Sequence, residues 1–95
     1  MIVRIDIDDA LVARCEYRVT HEGEMLYDDS GLDSVLEALV AAVEGLPPAV
    51  VGAEIAYRGV VSGTYPLQVI AMNPGQIGEH AVNTTAAIEE ALQAG

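Results

Sequence analysis

Residues 31–45 read GLDSVLEALVAAVEG, and this stretch decides the fold. Leu32, Val35, Leu36, Leu39, Val40 and Val43 recur at i, i+3, i+4 and i+7, the spacing of one helical stripe. Ser30 ahead of Asp33 resembles a capping box with Asp in place of Glu, and an early acid suits the positive end of the helix dipole. Gly45, Leu46 and Pro47 spell a stop. Burying those six side chains, at roughly 1.5–3 kcal/mol each, gives on the order of 10 kcal/mol gross. Such a helix needs a surface to cover, and the sequence on either side supplies a sheet.

Upstream, the period is two. Residues 2–7 place Val3, Ile5 and Ile7 on one face and Arg4 and Asp6 on the other, as in a half-buried strand. Asp8, Asp9 and Ala10 predict a short turn. Residues 11–19 alternate again, with Leu11, Ala13, Cys15, Tyr17 and Val19 inward and Val12, Arg14, Glu16 and Arg18 outward. HEGE, residues 21–24, offers a glycine for a positive-φ turn position, and residues 25–28 then close an antiparallel meander as a third strand.

Downstream of Pro47 and Pro48, residues 50–61 alternate with Val51, Ala53, Ile55 and Tyr57 on one side. Ser62 and Gly63 signal a turn, and residues 64–72 resume as a strand. Pro66 cannot donate a ladder hydrogen bond, which puts the start of that strand at an edge or a bulge. Beyond it, Leu67, Val69 and Ala71 face one way and Ile70 and Met72 the other, so both faces call for cover by a helix or another chain. Asn73, Pro74 and Gln76 then form a helix start. Ile77, Ala81, Ile88 and Leu92 trace its apolar face, while Gly78 and the run Asn83, Thr84, Thr85 weaken its middle and allow a start as late as Asn83. The expected order is β-β-β-α-β-β-α: one α+β domain over 1–95, a two-layer sandwich whose antiparallel or mixed five-stranded sheet carries its helices.

Composition narrows the function. Of 95 residues 52% are hydrophobic, yet the formal net charge is −11. A mean hydropathy of +0.33 beside that charge requires clean segregation and excludes a disordered acidic tail. No run approaches the roughly twenty apolar residues of a membrane span, and no charged-then-apolar leader opens the chain. A soluble, cytoplasmic protein of a prokaryote or a phage-infected cell is expected. The single cysteine, Cys15, excludes an intramolecular disulfide and fits a reducing compartment. Lysine is absent, and Arg4, Arg14, Arg18 and Arg58 are the only cationic side chains besides two histidines. This balance repels nucleic acid phosphate and anionic lipid and favours a basic protein partner.

RIDIDD, residues 4–9, sets three aspartates close together, with Asp28, Asp29 and Asp33 as further acids that could join a metal site. A calcium loop needs a fixed ligand spacing and a turn glycine, and DIDDALVA has neither. Three strands followed by a helix are similar to the opening of the ribonuclease H fold, in which an early-strand Asp and a first-helix Glu bind metal. Asp6 and Glu37 occupy comparable places. The resemblance covers element order alone, with no matching motif, in a chain shorter than the complete fold. No metal, cofactor or catalytic residue is therefore expected, and the aspartates are expected on a mixed-charge solvent face with Arg4, Arg14 and Arg18.

The remaining candidates have ordinary explanations. His21 and His80 lack partners at zinc-ligand spacing. Cys15 holds an inward strand position, where a thiol behaves as a small hydrophobe. Ser62 lacks the nucleophile-elbow motif, and NPGQIG is explained by helix capping. Tyr17, Tyr27 and Tyr57 fall on inward positions. Tyr65, beside a turn, is expected to be exposed and is placed at an interface.

The expected function is that of a non-enzymatic acidic binding protein that neutralises a basic, nucleic-acid-binding partner. Antitoxins, immunity proteins and phage anti-defence factors of the anti-CRISPR kind act in this way, their carboxylates standing in for phosphates. The expected contact residues are Glu22, Glu24, Asp28, Asp29, Asp33, Glu37 and Tyr65. The alternatives are a homo-oligomeric or virion subunit assembled through strand 64–72, and a metal-dependent enzyme.

Overall fold

Alternation of Val3, Ile5 and Ile7 against charged neighbours does produce a strand. The computed structural model describes residues 1–9 and 14–94, and its first strand, β1, runs Ile2–Asp9. β2 (Cys15–His21) and β3 (Glu24–Leu32) follow, then α1 (Val35–Glu44), β4 (Gly52–Tyr57), β5 (Val60–Pro66), α2 (Leu67–Met72) and α3 (Pro74–Ala94). The five strands form one mixed sheet in the order β3-β2-β1-β4-β5. β1 and β4 pair in parallel, Ile5 beside Ile55, and the other three pairs are antiparallel. This is an α+β fold.

The helices pack on one face of that sheet. Val3, Ile5, Ile7, Val19, Ala53 and Ile55 are buried there with Leu39, Ile70, Ile77 and Ala81 from the helices. The period-two alternation sends Arg4, Asp6, Asp8, Glu16, Arg18 and Glu54 to the opposite face, which no helix covers among the described residues.

Several elements depart from expectation. β1 continues through Asp9 instead of turning at Asp8, and the expected inward Leu11 and Ala13 lie outside the described residues. The third strand reaches Leu32, well past residue 28. α1 begins four residues later than expected. Its cap is Ser34, not Ser30: the Ser34 Oγ accepts from the Glu37 N–H at 3.1 Å, and Glu37 Oε2 accepts from the Asp33 N–H at 3.0 Å. The buried stripe of α1 is also rotated. Ala38, Leu39 and Ala42 are fully covered, while Leu36 is exposed, because two alanines let the helix sit closest to the sheet on their side.

The strand expected at residues 64–72 is corrected. β5 ends at Pro66, and Leu67–Met72 is the short helix α2, closed by the Asn73 N–H donating to Val69 O at 3.0 Å. Proline both removes a ladder donor and fixes φ, so the chain changes conformation there. Only Ile70 of this segment is buried and Met72 is 80% exposed, so two-sided cover is not needed. The β4–β5 turn lies at Arg58 and Gly59, whose φ of 51° and 80° match the left-handed pair of a type I′ hairpin. Ser62 and Gly63, expected as that turn, sit in β5 at a bulge opposite Ile55 and Ala56. α3 is continuous from Pro74 through Gly78 and Asn83. Thr85 anchors its middle by donating to Tyr57 O at 3.0 Å, whereas Ile88 and Leu92 of the expected apolar face are exposed.

Candidate functional site

Strand order converts scattered acids into one surface. β3 is a sheet edge, reached through the turn at Glu22 and Gly23, whose φ of 52° and 84° again suit a type I′ turn. Along it stand Glu24, Asp28 and Asp29, followed by Asp33 in the connection and Glu37 in the first turn of α1. All six acids expected to bind a partner are exposed, with Glu22 in the β2–β3 turn lining a groove shared with Arg4 and Glu54. Tyr65 is not with them. It lies on β5, the opposite edge, half-buried and packed against the core, which corrects the expectation that it is exposed.

Arginine placement explains which carboxylates stay free. Arg4 bonds Asp6 at 3.0 Å and Glu54 at 3.2 Å. Arg14 is 3.4 Å from Asp33 and donates to Gly31 O at 3.0 Å. Arg58 is held by Asp9 and by Glu89. Among the described residues, Glu22, Glu24, Asp28, Asp29 and Glu37 take part in no ion pair, and neither do Asp8, Glu16, Glu44, Glu79 and Glu90. Arg18 stands in register between Asp6 on β1 and Asp28 on β3. A groove of about 370 Å³ opens around it on the bare face, lined by Asp6, Asp8, Glu16, Asp28, Asp29 and Ser30. The free acids of the β3 edge thus continue onto the uncovered sheet.

Asp6 and Asp8 were expected on a face diluted by three arginines. The structure puts two of those, Arg4 and Arg18, on that face and turns Arg14 toward Asp33 instead. Asp6 belongs to the bare face and Glu37 to the helical layer, so the pair suggested by the ribonuclease H opening does not meet. Among the described residues, no group of three or more His, Cys, Asp or Glu stands close enough to hold a metal ion.

Asp9 shares the parity of Ile5 and Ile7 and therefore turns to the helix side. It accepts from the Tyr57 hydroxyl at 3.0 Å and from Arg58 Nε at 2.7 Å, with Cys15 Sγ at 3.9 Å. The sequence offered one signal for this, its place in the alternation after Ile7. Burial, reinforced by the Asp9 charge, pushes the Cys15 thiol pKa up, which is the opposite of what activates a nucleophile. Burial and the bond to Asp9 push the Tyr57 phenol up as well. The cluster is a neutral thiol and phenol around one paired carboxylate, a joint between strands and α3.

His21 is half-buried opposite Glu24, and His80 is exposed with its ring nitrogen 3.5 Å from Thr84 Oγ1. Ser62 Oγ donates to Ile55 O at 3.4 Å. Among the described residues no helix is long and apolar enough to cross a membrane. Comparison with protein-family models, curated proteins and solved structures returns no match.

Proposed function

We propose that this chain is an acidic binding protein that acts by occupying a basic protein surface, as antitoxins, immunity proteins and phage anti-defence factors do. The observation that carries the reading is the set of carboxylates that, among the described residues, take part in no ion pair and run from Glu22 in the β2–β3 turn to Glu24, Asp28 and Asp29 along the β3 edge. Carboxylates at a sheet edge accept hydrogen bonds from Lys and Arg in varied geometry, and an arginine fork takes both oxygens of one group. A net charge of −11 steers such an encounter from a distance and gives it a rate that falls with salt. The same edge resists copies of itself, because an antiparallel pair of β3 strands sets acid against acid. A groove that ordinarily takes nucleic acid has the matching charge, so occupancy by this protein excludes phosphate.

Capture from cell extract on the immobilised protein, eluted with rising salt, tests the proposal. A basic protein released by salt, and displaced by added DNA, is the expected result. Absence of any retained basic protein at low salt overturns it.

A further inference from the structure

α1 is apolar on two sides, and the sheet covers one of them. Inward lie Ala38, Leu39 and Ala42; outward lie Leu36, 44% exposed, and half-buried Val40. With Leu32 at the end of β3 and Pro74 at the start of α3, these two form an apolar groove of about 550 Å³ rimmed by Glu37 and Glu44. Resting on the reading above, we propose that this groove anchors a basic amphipathic segment of the partner, an apolar pair one helical turn apart flanked by Lys or Arg.

The rim chooses the occupant. Glu37 and Glu44 are seven residues apart on one helix, about 10 Å along its axis; Val40 lies between them and Leu36 directly before Glu37. Among the described residues neither takes part in an ion pair. A bare apolar groove takes any apolar side chain; this one adds two carboxylates that penalise an acidic or neutral ligand and reward cations at that separation. A second copy of the chain does not fit the description. None of the three helices among the described residues contains a Lys or Arg, and α3 would bring Glu89 and Glu90 against the rim. Glu37 also ends the acidic series of the β3 edge, so a partner steered by that edge arrives beside the groove.

The test uses a fluorescein-labelled synthetic peptide with a leucine pair one turn apart and flanking lysines, measured by fluorescence anisotropy. Two further peptides replace the leucines by serine or the lysines by glutamate. The native protein is expected to bind the first peptide and to bind both others poorly. Leu36→Ser, a change at an exposed position checked by circular dichroism, is expected to weaken binding by about tenfold or more. Glu44→Gln is expected to weaken it several-fold, by roughly 1 kcal/mol or less, and to flatten its salt dependence. Equal binding of the leucine and serine peptides, or no effect of Leu36→Ser, overturns the groove. A dimer in light scattering that Leu36→Ser dissociates overturns it too, in favour of a second copy. Extract capture separates the two proposals: a basic protein retained equally by Leu36→Ser defeats only the groove, and retention by neither protein defeats the function itself.

Discussion

Arg58 Nε donates to Asp9 Oδ2 at 2.7 Å, tying the β4–β5 turn to the end of β1, and its guanidinium lies 5.1 Å from the centre of the Tyr57 ring. The same carboxylate receives the Tyr57 hydroxyl. The two partners of Asp9 differ in exposure, since Tyr57 is buried and Arg58 is not. Removing Asp9 strands a buried phenol, whereas removing Arg58 leaves its partners in water. Asp9→Ala is therefore expected to lower stability by about 1–3 kcal/mol in urea unfolding. Arg58→Ala is expected to lower it less. A larger loss for Arg58→Ala contradicts this picture of the joint.

Two glycines predict opposite outcomes. A Cβ added at Gly52, where β4 lies against β5, would meet the Tyr65 carbonyl oxygen at 2.8 Å. Backbone cannot step aside as a side chain can, so Gly52→Ala is expected to cost roughly 1–3 kcal/mol. Gly78, inside α3, would place its Cβ 3.7 Å from Val35 Cγ1, an ordinary contact. Gly78→Ala is expected to stabilise the protein by about 0.5–1 kcal/mol through helix propensity. Thermal unfolding of both variants decides the pair.

Alkaline unfolding should follow Tyr27. Its hydroxyl donates to Ala42 O, joining β3 to α1, and burial, with a smaller contribution from Tyr17, pushes its pKa up to about 12 from 10.0. Tyr17 meets it edge to face at 6.1 Å. For a group raised on folding, the stabilisation is complete below the unfolded value and disappears as pH climbs through the folded one. Stability is expected to hold to about pH 10 and to fall between there and about pH 12 as the unfolded chain ionises first. Tyr27→Phe is expected to lose about 0.5–1.5 kcal/mol at neutral pH and to show a flatter decline. An unchanged alkaline slope in Tyr27→Phe would assign the titration elsewhere.

The parts of the fold that were legible from sequence are those where one periodicity stands alone. Val3, Ile5 and Ile7, and Cys15, Tyr17 and Val19, alternate without ambiguity and form strands. Leu67–Met72 suits a strand or a helix by pattern, because a short apolar run fits either period; Leu67 and Ile70, three apart, are the helical clue. The Arg58 and Gly59 turn was hidden because arginine in a left-handed conformation has no compositional signature, while Ser62 and Gly63 have a turn signature and form a bulge instead. For the surface, the exposure of Glu24, Asp28 and Asp29 follows from sequence, but the meeting of Asp28 and Asp29 with Asp6 and Asp8 around one groove does not. It depends on the register of the β1–β2 and β2–β3 pairs, which local pattern leaves open, whereas the meander that sets β2 between β1 and β3 is legible. Tyr65 is half-buried because its place opposite Ala53 turns it to the helix-covered face, where it packs against the core.

The carboxylates of the β3 edge, which among the described residues take part in no ion pair, are the core of the account, and neutralising them tests it most directly. In the triple variant Glu24→Gln, Asp28→Asn, Asp29→Asn, shape and hydrogen-bonding capacity are nearly kept while three charges vanish. Retention of the basic protein captured from extract should then be lost at a salt concentration where the native chain still holds it, with the melting temperature equal or higher. Undiminished retention by the triple variant, at every salt concentration, would contradict the claim that this edge makes the contact.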